Sequence, residues 1–260
     1  MARSAPRTSQ RIVSLAPSVT SILLAIGAQR ELVGVSKWCK DVARVGKRPA
    51  VGDCWALDIE QVIRLRPTLL IGSVPFKTET VARLLEQPVA LLATNPRSLS
   101  DIDSDIRLLG RLLERSHAAE RLTRQMHRAF ERVAKVARHA RGRPRVYCEA
   151  WPKPRISSPP WVGELVELAG GEMAVPAGQR ISDEEVSRAR PEIIVLAWTA
   201  TGDRAQSGAV YETAAWWDLP AVRNRRVIVV RDELLNTPGP PLMEGVLALL
   251  RAIHPELARR

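Results

Sequence analysis

The chain has 260 residues, of which 45% are apolar and 26% are charged, a composition typical of a globular protein with one large or two small domains. No apolar run approaches the roughly 18 residues of a membrane helix, and no signal-peptide core follows the basic N-terminus, so the sequence as written predicts a cytoplasmic protein. The net charge of +11 comes without a groove-reading motif, which argues against a nucleic-acid partner. Three cysteines and four histidines lack the spacing of a zinc site, so we expect no metal and no cofactor.

An alternating β/α pattern occupies the first part of the chain. Residues 11–15 are predicted as a strand, and Pro17 suits the first position of a helix that Gly27 ends. The alternation continues with strands over 32–35, 68–71 and 89–93 and helices over 58–66 and 77–85. Such alternation predicts a parallel sheet with helices packed on it.

A long helical segment separates this part from the rest of the chain. From Leu99 to Ala140 the apolar residues recur at helical spacing, with a break expected near Arg115 and Ser116. A helix over 118–140 would span about 35 Å, which is long enough to link two lobes. The β/α pattern then resumes, with strands over 146–150, 193–198 and 227–230, helices over 162–168 and 242–253, and a turn-rich stretch over 151–160. We therefore predict an N-terminal lobe over 1–98, a connecting helix over 99–142 and a C-terminal lobe over 143–260.

One segment occurs twice. Residues 58–71 and 182–195 share Glu, Val, two Arg and Pro at matching positions, and each copy predicts a capped helix, a proline stop and a buried strand. A unit that recurs in both halves indicates two similar lobes, and a ligand between two lobes is an obvious use for them. The predicted fold class is α/β, with two similar parallel-sheet lobes, a long rigid connecting helix and a ligand cleft between the lobes.

The first turns of both repeated helices are predicted from their N-cap residues, Asp58 and Ser182. Three positions later, Gln61 and Glu185 are the residue types that complete a capping box. We therefore expect a reciprocal pair of hydrogen bonds at the start of each copy.

A glutamate stands at the second position of each repeated helix, Glu60 in the first and Glu184 in the second. The helix dipole stabilises a carboxylate there by about 0.3–1 kcal/mol, which explains both residues without any function. The alternative is that the two side chains form a matched docking pair, one on each lobe.

Tryptophan is unusually frequent, with seven Trp against two Tyr and two Phe. Five of them follow strand-like segments or lie in turn-rich stretches: Trp38, Trp55, Trp151, Trp161 and Trp198. Because ligands bind outside the carboxyl ends of parallel strands, these side chains predict a cleft for a large, flat, mostly apolar ligand. Burial in the core is the alternative for any single one of them. Trp216 and Trp217 lie on a short apolar segment and are predicted to pack in the core.

Two polar residues after the last predicted strand, Asp232 and Asn236, could contact such a ligand or could equally be turn and capping residues. No nucleophile, zinc or phosphate-binding motif occurs in the sequence. Glu149 and Asp232 would form a carboxylate pair only if the fold brought them together. We therefore predict no enzymatic activity.

Several motifs follow one another in a family-like order: Arg11-Ile-Val-Ser-Leu-Ala-Pro-Ser-Val-Thr, Leu32-Val-Gly-Val-Ser, the two repeated segments, Leu168-Ala-Gly-Gly-Glu and Pro238-Gly-Pro. This order resembles the helical-backbone (class III) substrate-binding proteins of ABC importers, closest to their cobalamin-binding type. The resemblance covers nearly the whole chain from Arg11 onward. It implies two α/β lobes joined by one rigid helix, with the ligand held between them and no catalysis.

The resemblance also implies roles for individual residues. Glu60 and Glu184 match the two family glutamates that dock onto arginines of the membrane permease. Trp38 matches an aromatic residue that contacts the corrin, and Asp232 matches a polar ligand contact.

Other ligand-binding candidates match the family less strictly. A family tryptophan has its place at Cys54, with Trp55 one position away, and Trp161 lies in the loop that reaches the ligand. Trp151, Trp198 and Asn236 complete the candidate set.

The sequence thus predicts a monomer that binds cobalamin or a related corrinoid, either for an ABC uptake system or as a cytosolic corrinoid carrier. It departs from the family in lacking an export signal, an aromatic residue within 177–180 and, at Ala169, one half of a disulfide. The protein would be periplasmic if the true N-terminus with a signal is missing. The alternatives are a binding protein for haem or a ferric siderophore, an enzyme that modifies tetrapyrroles or corrinoids, and a basic adaptor.

Overall fold

The computed structural model describes residues 10–257, which form two compact units by their contacts. The first unit comprises the residues up to Asn95 together with Ser104–Leu122, and the second comprises Pro96–Asp103 together with the residues from Thr123 onward. Each unit contains a sheet whose central strands are parallel. The predicted α/β class with two similar, mainly parallel sheets is confirmed.

The first unit is built around a fully parallel sheet. Its elements up to residue 94 are strands β1 (Ile12–Ser14), β2 (Leu32–Val35), β3 (Leu69–Ser73) and β4 (Ala90–Thr94) and helices α1 (Pro17–Ala25), α2 (Cys39–Val42), α3 (Ile59–Arg64) and α4 (Thr78–Leu85). The strand order is β2-β1-β3-β4, with Ile12 paired to Leu32 on one side and to Leu69 on the other. All three residues of β1 are buried, because helices cover both faces of a central parallel strand.

The segment predicted as the connecting helix, with a break near Arg115 and Ser116, is two helices, α5 (Leu99–Leu112) and α6 (Ser116–Ala137). They are separated at Glu114, whose φ of 57° is left-handed, close to the break that the sequence predicted. Gly110 allows the two helices to approach closely, because a Cβ at this position would collide with the Cβ of Ala119. Helix α6 ends at Ala137, three residues before the end of the apolar pattern.

The second unit repeats this plan with additions. Its remaining elements are strands β5 (Arg145–Pro152), β6 (Arg155–Ser157), β7 (Glu172–Met173), β8 (Ile193–Leu196) and β9 (Val227–Val229), helices α7 (Pro160–Leu168), α8 (Asp183–Ala189), α9 (Gly208–Glu212), α10 (Pro220–Arg223), α11 (Glu233–Asn236) and α12 (Leu242–Ile253), and a 3-10 turn at Ala214–Trp216. Strand β5 pairs with β7 near its start and with β6 near its end, and β8 and β9 follow on its other side. The stretch over 151–160, predicted as turns, is therefore partly an antiparallel hairpin, because β5 continues through Pro152 and β6 pairs back onto it.

The sequence repeat is a structural repeat. In both copies the residue before the proline, Arg66 or Arg190, has a left-handed φ, of 47° and 46° respectively. In both copies an arginine at the start of the first strand of the unit donates to the carbonyl of that residue, at 3.1 Å from Arg11 and 3.1 Å from Arg145. These guanidinium groups satisfy carbonyls that the end of a helix leaves unpaired.

The two helix starts differ in their capping. Ser182 and Glu185 form the predicted capping box, with both reciprocal hydrogen bonds present. Asp58 accepts from the Gln61 amide at 2.9 Å, but its own amide donates to the Val51 carbonyl, so the capping box predicted with Gln61 is absent. A neighbouring loop supplies the acceptor that the glutamine side chain would have provided.

Each unit has its own apolar core. Helices α3 and α4 pack on the first sheet through Val62 and Leu84, and the core of the second unit is centred on Trp216. Trp216 is fully buried as predicted, whereas Trp217 is 61% exposed, so the prediction that it packs in the core was wrong. Among residues 10–257, no helix combines the length and the apolar character needed to cross a bilayer.

Candidate functional site

In the first unit, two exposed tryptophans lie in loops at the carboxyl edge of the sheet. Trp38 follows β2 and is 37% exposed, and Trp55 is 59% exposed. The loop that carries Trp55 is held against the end of β1, because the Cys54 thiol donates to the Leu15 carbonyl oxygen at 3.2 Å. Strand β1 lies between β2 and β3, so the strand order reverses direction at β1. Open α/β sheets bind ligands outside the carboxyl ends of the strands at such a reversal.

A buried carboxylate that the sequence did not single out, Asp53, links these two loops. Its Oδ2 accepts from the indole Nε1 of Trp38 at 2.9 Å and lies 2.9 Å from the ammonium group of Lys37. Its Oδ1 accepts from the amides of Trp55 at 3.0 Å and Ala56 at 2.8 Å. No local pattern announces this cluster, because Trp38 and Asp53 are 15 residues apart.

The charge states of this cluster follow from its contacts. Burial alone would raise the pKa of Asp53, but the hydrogen bonds from Lys37, Trp38 and the two amides outweigh it, and the pKa lies below the ordinary 3.8. Burial, together with the neighbouring Asp53 and Cys39, raises the pKa of Cys54 to about 12. Asp53 is therefore ionised and Cys54 is a neutral thiol near neutral pH. The Cys54 side chain is buried, and its hydrogen bond to the Leu15 carbonyl holds the loop that carries Trp55 in place.

In the second unit, one candidate tryptophan is exposed and two are buried. Trp151 lies near the carboxyl end of β5, is 42% exposed and donates from Nε1 to the Lys153 carbonyl at 2.8 Å. Trp161, in the first turn of α7, is 8% exposed and donates to the Leu235 carbonyl at 2.8 Å. Trp198, which follows β8, is also 8% exposed. Trp151 therefore offers the largest aromatic surface of the three.

The indole of Trp198 belongs to a buried polar network around Glu149. The fully buried carboxylate of Glu149 accepts from Trp198 Nε1 at 2.8 Å and from the Tyr147 hydroxyl at 2.7 Å. Arg155 neutralises it at 2.9 Å and also pairs with Asp183, the first residue of α8. Every oxygen of Glu149 thus has a donor inside the fold, which makes this network a structural one.

Asp232 and Asn236 organise the loop after β8. The Asp232 carboxylate accepts hydrogen bonds from the amides of Ala200 at 2.9 Å and Gly202 at 2.6 Å. Burial raises the pKa of Asp232 above its ordinary value, although these two hydrogen bonds lower it. Asn236 donates to the Ala197 carbonyl at 2.7 Å, while its Oδ1 is buried without a partner. Glu149 and Asp232 have separate sets of hydrogen-bond partners, and no hydrogen bond among the described residues joins the two carboxylates.

The structure therefore brings most of the ligand-binding candidates together in two groups, one in each unit, whereas the Trp151 indole bonds within its own hairpin. Trp38, Cys54 and Trp55 surround Asp53 in the first unit. In the second, Trp161 bonds to the residue before Asn236, and Asn236 bonds to the residue before Trp198. Contact of both groups with one ligand stays a prediction. Within the described residues no three His, Cys, Asp or Glu side chains come together as a metal site.

The two candidate docking glutamates occupy equivalent places. Each is exposed at the second position of its helix, Glu60 in α3 and Glu184 in α8. The only cation paired with Glu60 among the described residues is Arg64, at 3.7 Å, and both of these side chains are mostly solvated. A solvated pair of this kind contributes little, so the carboxylate remains available to a partner.

A groove of about 500 Å³ lies elsewhere, between β9 and α12. None of the candidate residues lines it, and four arginines do: Arg225, Arg226, Arg231 and Arg251. Arg226 donates to the Ala252 and Ile253 carbonyls at 2.9 Å, which caps the end of α12. The groove is open and basic, and it differs from the tryptophan-rich strand edges in both position and chemistry.

Comparison with known proteins places the fold and sequence in context. An uncharacterised ABC transporter substrate-binding lipoprotein of Bacillus subtilis is 27% identical over 95% of this chain and 81% of its own length. A vitamin B12-binding protein of Vibrio parahaemolyticus is 24% identical over 92% of this chain and 87% of its own length. The apo structure of a periplasmic haem-binding protein of Roseiflexus superimposes with a TM-score of 0.81 at 25% identity, covering 96% of this chain and all of that one.

The family profile described as "Periplasmic binding protein" matches residues 12–234, from the first strand to the helix after the last. This span includes both copies of the repeat and both groups of tryptophans. The chain is therefore a member of the periplasmic binding protein family.

Proposed function

We propose that this protein binds cobalamin or a related corrinoid without catalysis, as the substrate-binding component of an ABC uptake system. Family membership supports a binding function rather than an enzymatic one. Several of its relatives are named as vitamin B12-binding or cobalamin-binding proteins, among them the Vibrio protein and a protein of Halobacterium salinarum.

The observation that carries the proposal is the exposed tryptophan surface at the carboxyl edges of both sheets. Trp38, Trp55 and Trp151 are 37%, 59% and 42% exposed, although indole rings are among the costliest side chains to leave in water. Indole surface of this kind suits a large, flat and mostly apolar ligand, and a corrin ring has these properties. The bound ligand would bury indole surface that the free protein leaves exposed.

Haem is the second candidate, because a haem-binding protein shares the fold and a quarter of its aligned residues. Haem iron in proteins is held by His, Tyr, Cys or Met side chains. Among residues 10–257, none of the loops that follow strands carries His, Tyr or Met, and Cys54 is a buried neutral thiol. The site therefore favours a ligand whose metal needs no side chain from the protein.

A ferric siderophore fits the site less well. Anionic ligands of this kind need cationic side chains that are free to pair with them. Lys37, which lies against the Trp38 ring, already pairs with Asp53 at 2.9 Å. The charge of Lys37 is therefore balanced before any ligand arrives.

Parallel titration with cyanocobalamin, cobinamide and hemin tests the proposal. Equilibrium dialysis gives stoichiometry and affinity, and tryptophan fluorescence reports whether the indoles meet the ligand. We expect saturable one-to-one binding of both corrinoids at micromolar or better, with quenching of the exposed tryptophans. Binding of hemin alone would overturn the corrinoid assignment, and binding of none of the three would remove the proposal.

We also propose that Glu60 and Glu184 dock onto arginines of an ABC permease. Their equal positions and exposure support this, since the repeat presents the same carboxylate twice. The test is binding to membranes that contain the permease, with Glu60→Lys and Glu184→Lys. Glu79→Lys is a matched control, because Glu79 is also an exposed residue at the second position of a helix. Equal loss with all three variants would refute a specific docking role.

The family name and one relative support a different compartment from the cytoplasm that the sequence as written predicts. We propose that the protein works on the outer side of the cytoplasmic membrane, which its family description and the lipoprotein relative support. We also propose that it is a monomer, as the sequence predicts. Cell fractionation with an antibody against the protein tests the compartment directly. Recovery of all the protein with cytosolic markers would favour the cytosolic corrinoid carrier instead.

A further inference from the structure

The Asp53 carboxylate contacts both exposed tryptophan segments of the first unit. Oδ2 accepts from the Trp38 indole at 2.9 Å, and Oδ1 accepts from the Trp55 amide at 3.0 Å. The Asp53 side chain itself is only 12% exposed, so a ligand would meet the tryptophans before it met the carboxylate. From these contacts we propose that Asp53 is a positioning residue that sets the orientation of both ligand-facing tryptophans; this inference rests on the proposed function.

Trp38 is fixed by its polar edge and by one of its faces. The hydrogen bond from Nε1 to Asp53 holds the edge of the ring. The Lys37 ammonium lies 4.9 Å from the ring centroid, a cation–π contact, and the same ammonium is 2.9 Å from the Asp53 carboxylate. Because Lys37 covers one face, Trp38 presents its other face to a flat ligand. Asp53 controls both restraints, since it accepts from the indole and anchors the lysine.

Trp55 is positioned through its backbone instead. The Asp53 amide donates to the Ala56 carbonyl at 3.2 Å, and the Ala56 amide donates back to Asp53 Oδ1 at 2.8 Å. The turn is tight: Gly52 has a φ of 90°, and a Cβ there would collide with the Ala56 carbonyl oxygen. Trp55 lies inside this closed turn, and within the described part of the chain its indole makes no hydrogen bond that would orient it. The direction of its indole therefore depends on the turn that Asp53 closes.

The consequence for binding is pre-organisation. A side chain that must be immobilised when a ligand binds lowers affinity by about two- to tenfold, a cost already met when the free protein holds it in place. Removing the Asp53 carboxylate should therefore weaken ligand binding by about five- to a hundredfold through the two tryptophans together.

The first test needs no ligand. In ¹⁵N-labelled protein the Trp38 and Trp55 indole resonances are identified with Trp38→Phe and Trp55→Phe, and the ¹⁵N relaxation of each indole reports the freedom of its ring. Asp53→Asn keeps an acceptor for the Trp55 amide but turns a donor toward Trp38 and Lys37, so we expect only the Trp38 resonance to move. Asp53→Ala should change both signals. Asp58→Ala removes a helix N-cap in the same unit and is the matched control for general loss of stability.

The second test is a double-mutant cycle with cyanocobalamin. Asp53→Ala should weaken binding in the wild-type background and have almost no effect when Trp38 and Trp55 are both alanine. An equal loss in both backgrounds would mean that Asp53 acts elsewhere and would overturn the inference, as would unchanged indole signals in Asp53→Ala. If the wild-type protein bound no corrinoid, the proposed function would fail, while the ligand-free test would still decide the role of Asp53.

Discussion

Replacement of Trp55 by alanine is the sharpest test of the tryptophan surface. This side chain is 59% exposed, so its removal should leave the fold nearly unchanged. Trp217, in the second unit, is 61% exposed and lies outside both groups of candidate residues, which makes Trp217→Ala a matched control. Trp161→Ala provides the opposite case, because only 8% of Trp161 is exposed.

The magnitude follows from the exposed area. If a tryptophan has about 250 Å² of accessible surface, the exposed 59% of Trp55 is about 150 Å². At about 25 cal/mol per Å², a ligand that covered this area completely would gain up to about 4 kcal/mol, which is several hundredfold in affinity. Trp217→Ala should leave the dissociation constant unchanged. Trp161→Ala should instead lower the free energy of unfolding by about 3–5 kcal/mol, because it leaves a cavity.

The assay combines equilibrium dialysis with cyanocobalamin and urea unfolding of the same variants. We expect Trp55→Ala to lose affinity for cyanocobalamin without losing stability. Trp217→Ala should lose neither affinity nor stability, and Trp161→Ala should lose much of its stability. Full affinity in Trp55→Ala would refute the assignment of the strand edge as the ligand surface. A loss in Trp217→Ala equal to that in Trp55→Ala would show that the effect is not local.

Three further predictions concern stability. Arg155→Met should lower the free energy of unfolding in urea by about 3–5 kcal/mol, because Glu149 is fully buried and would keep an uncompensated charge; adding Glu149→Gln should recover part of the loss, and additive losses would contradict this account. Ser182→Ala should cost about 1–2 kcal/mol and more than Asp58→Ala, because only Ser182 belongs to a complete capping box; the reverse order in thermal melts would be evidence against it. The pKa of Asp53 lies below 3.8 in the folded state, so the ionised carboxylate stabilises the fold at any pH above the unfolded-state pKa, and this stabilisation is lost as the pH falls through the folded-state pKa. The difference in free energy of unfolding between wild type and Asp53→Asn should therefore vanish in acid. A constant difference down to the lowest accessible pH would exclude this linkage.

The sequence by itself determined the α/β class, the two similar units and the family. The α/β class rests on signals that a short window contains: the alternation of strand and helix periods, the proline stops and the N-cap at Ser182. The two units rest on the repeat, and the family rests on the order of motifs along nearly the whole chain. The repeat made the inference stronger, because two copies of one pattern must fold alike. The missing capping box at Asp58 shows the limit of such signals, since an acceptor from Val51 replaced the predicted local partner.

Only the tertiary structure decided which tryptophans face solvent and what holds them. Trp55 and Trp161 have similar sequence surroundings of turn-forming and apolar residues, yet one is 59% exposed and the other 8%. The exposure of a side chain depends on contacts with segments that are distant in the sequence. The Trp161 indole, for example, donates a hydrogen bond to the Leu235 carbonyl. The link between Trp38 and Asp53 is of the same kind, because a hydrogen bond between two loops has no periodicity to reveal it. Local hydrogen bonding and residue periodicity can be predicted from the sequence. Burial and contacts between loops cannot, because they are determined only when distant segments of the chain pack together.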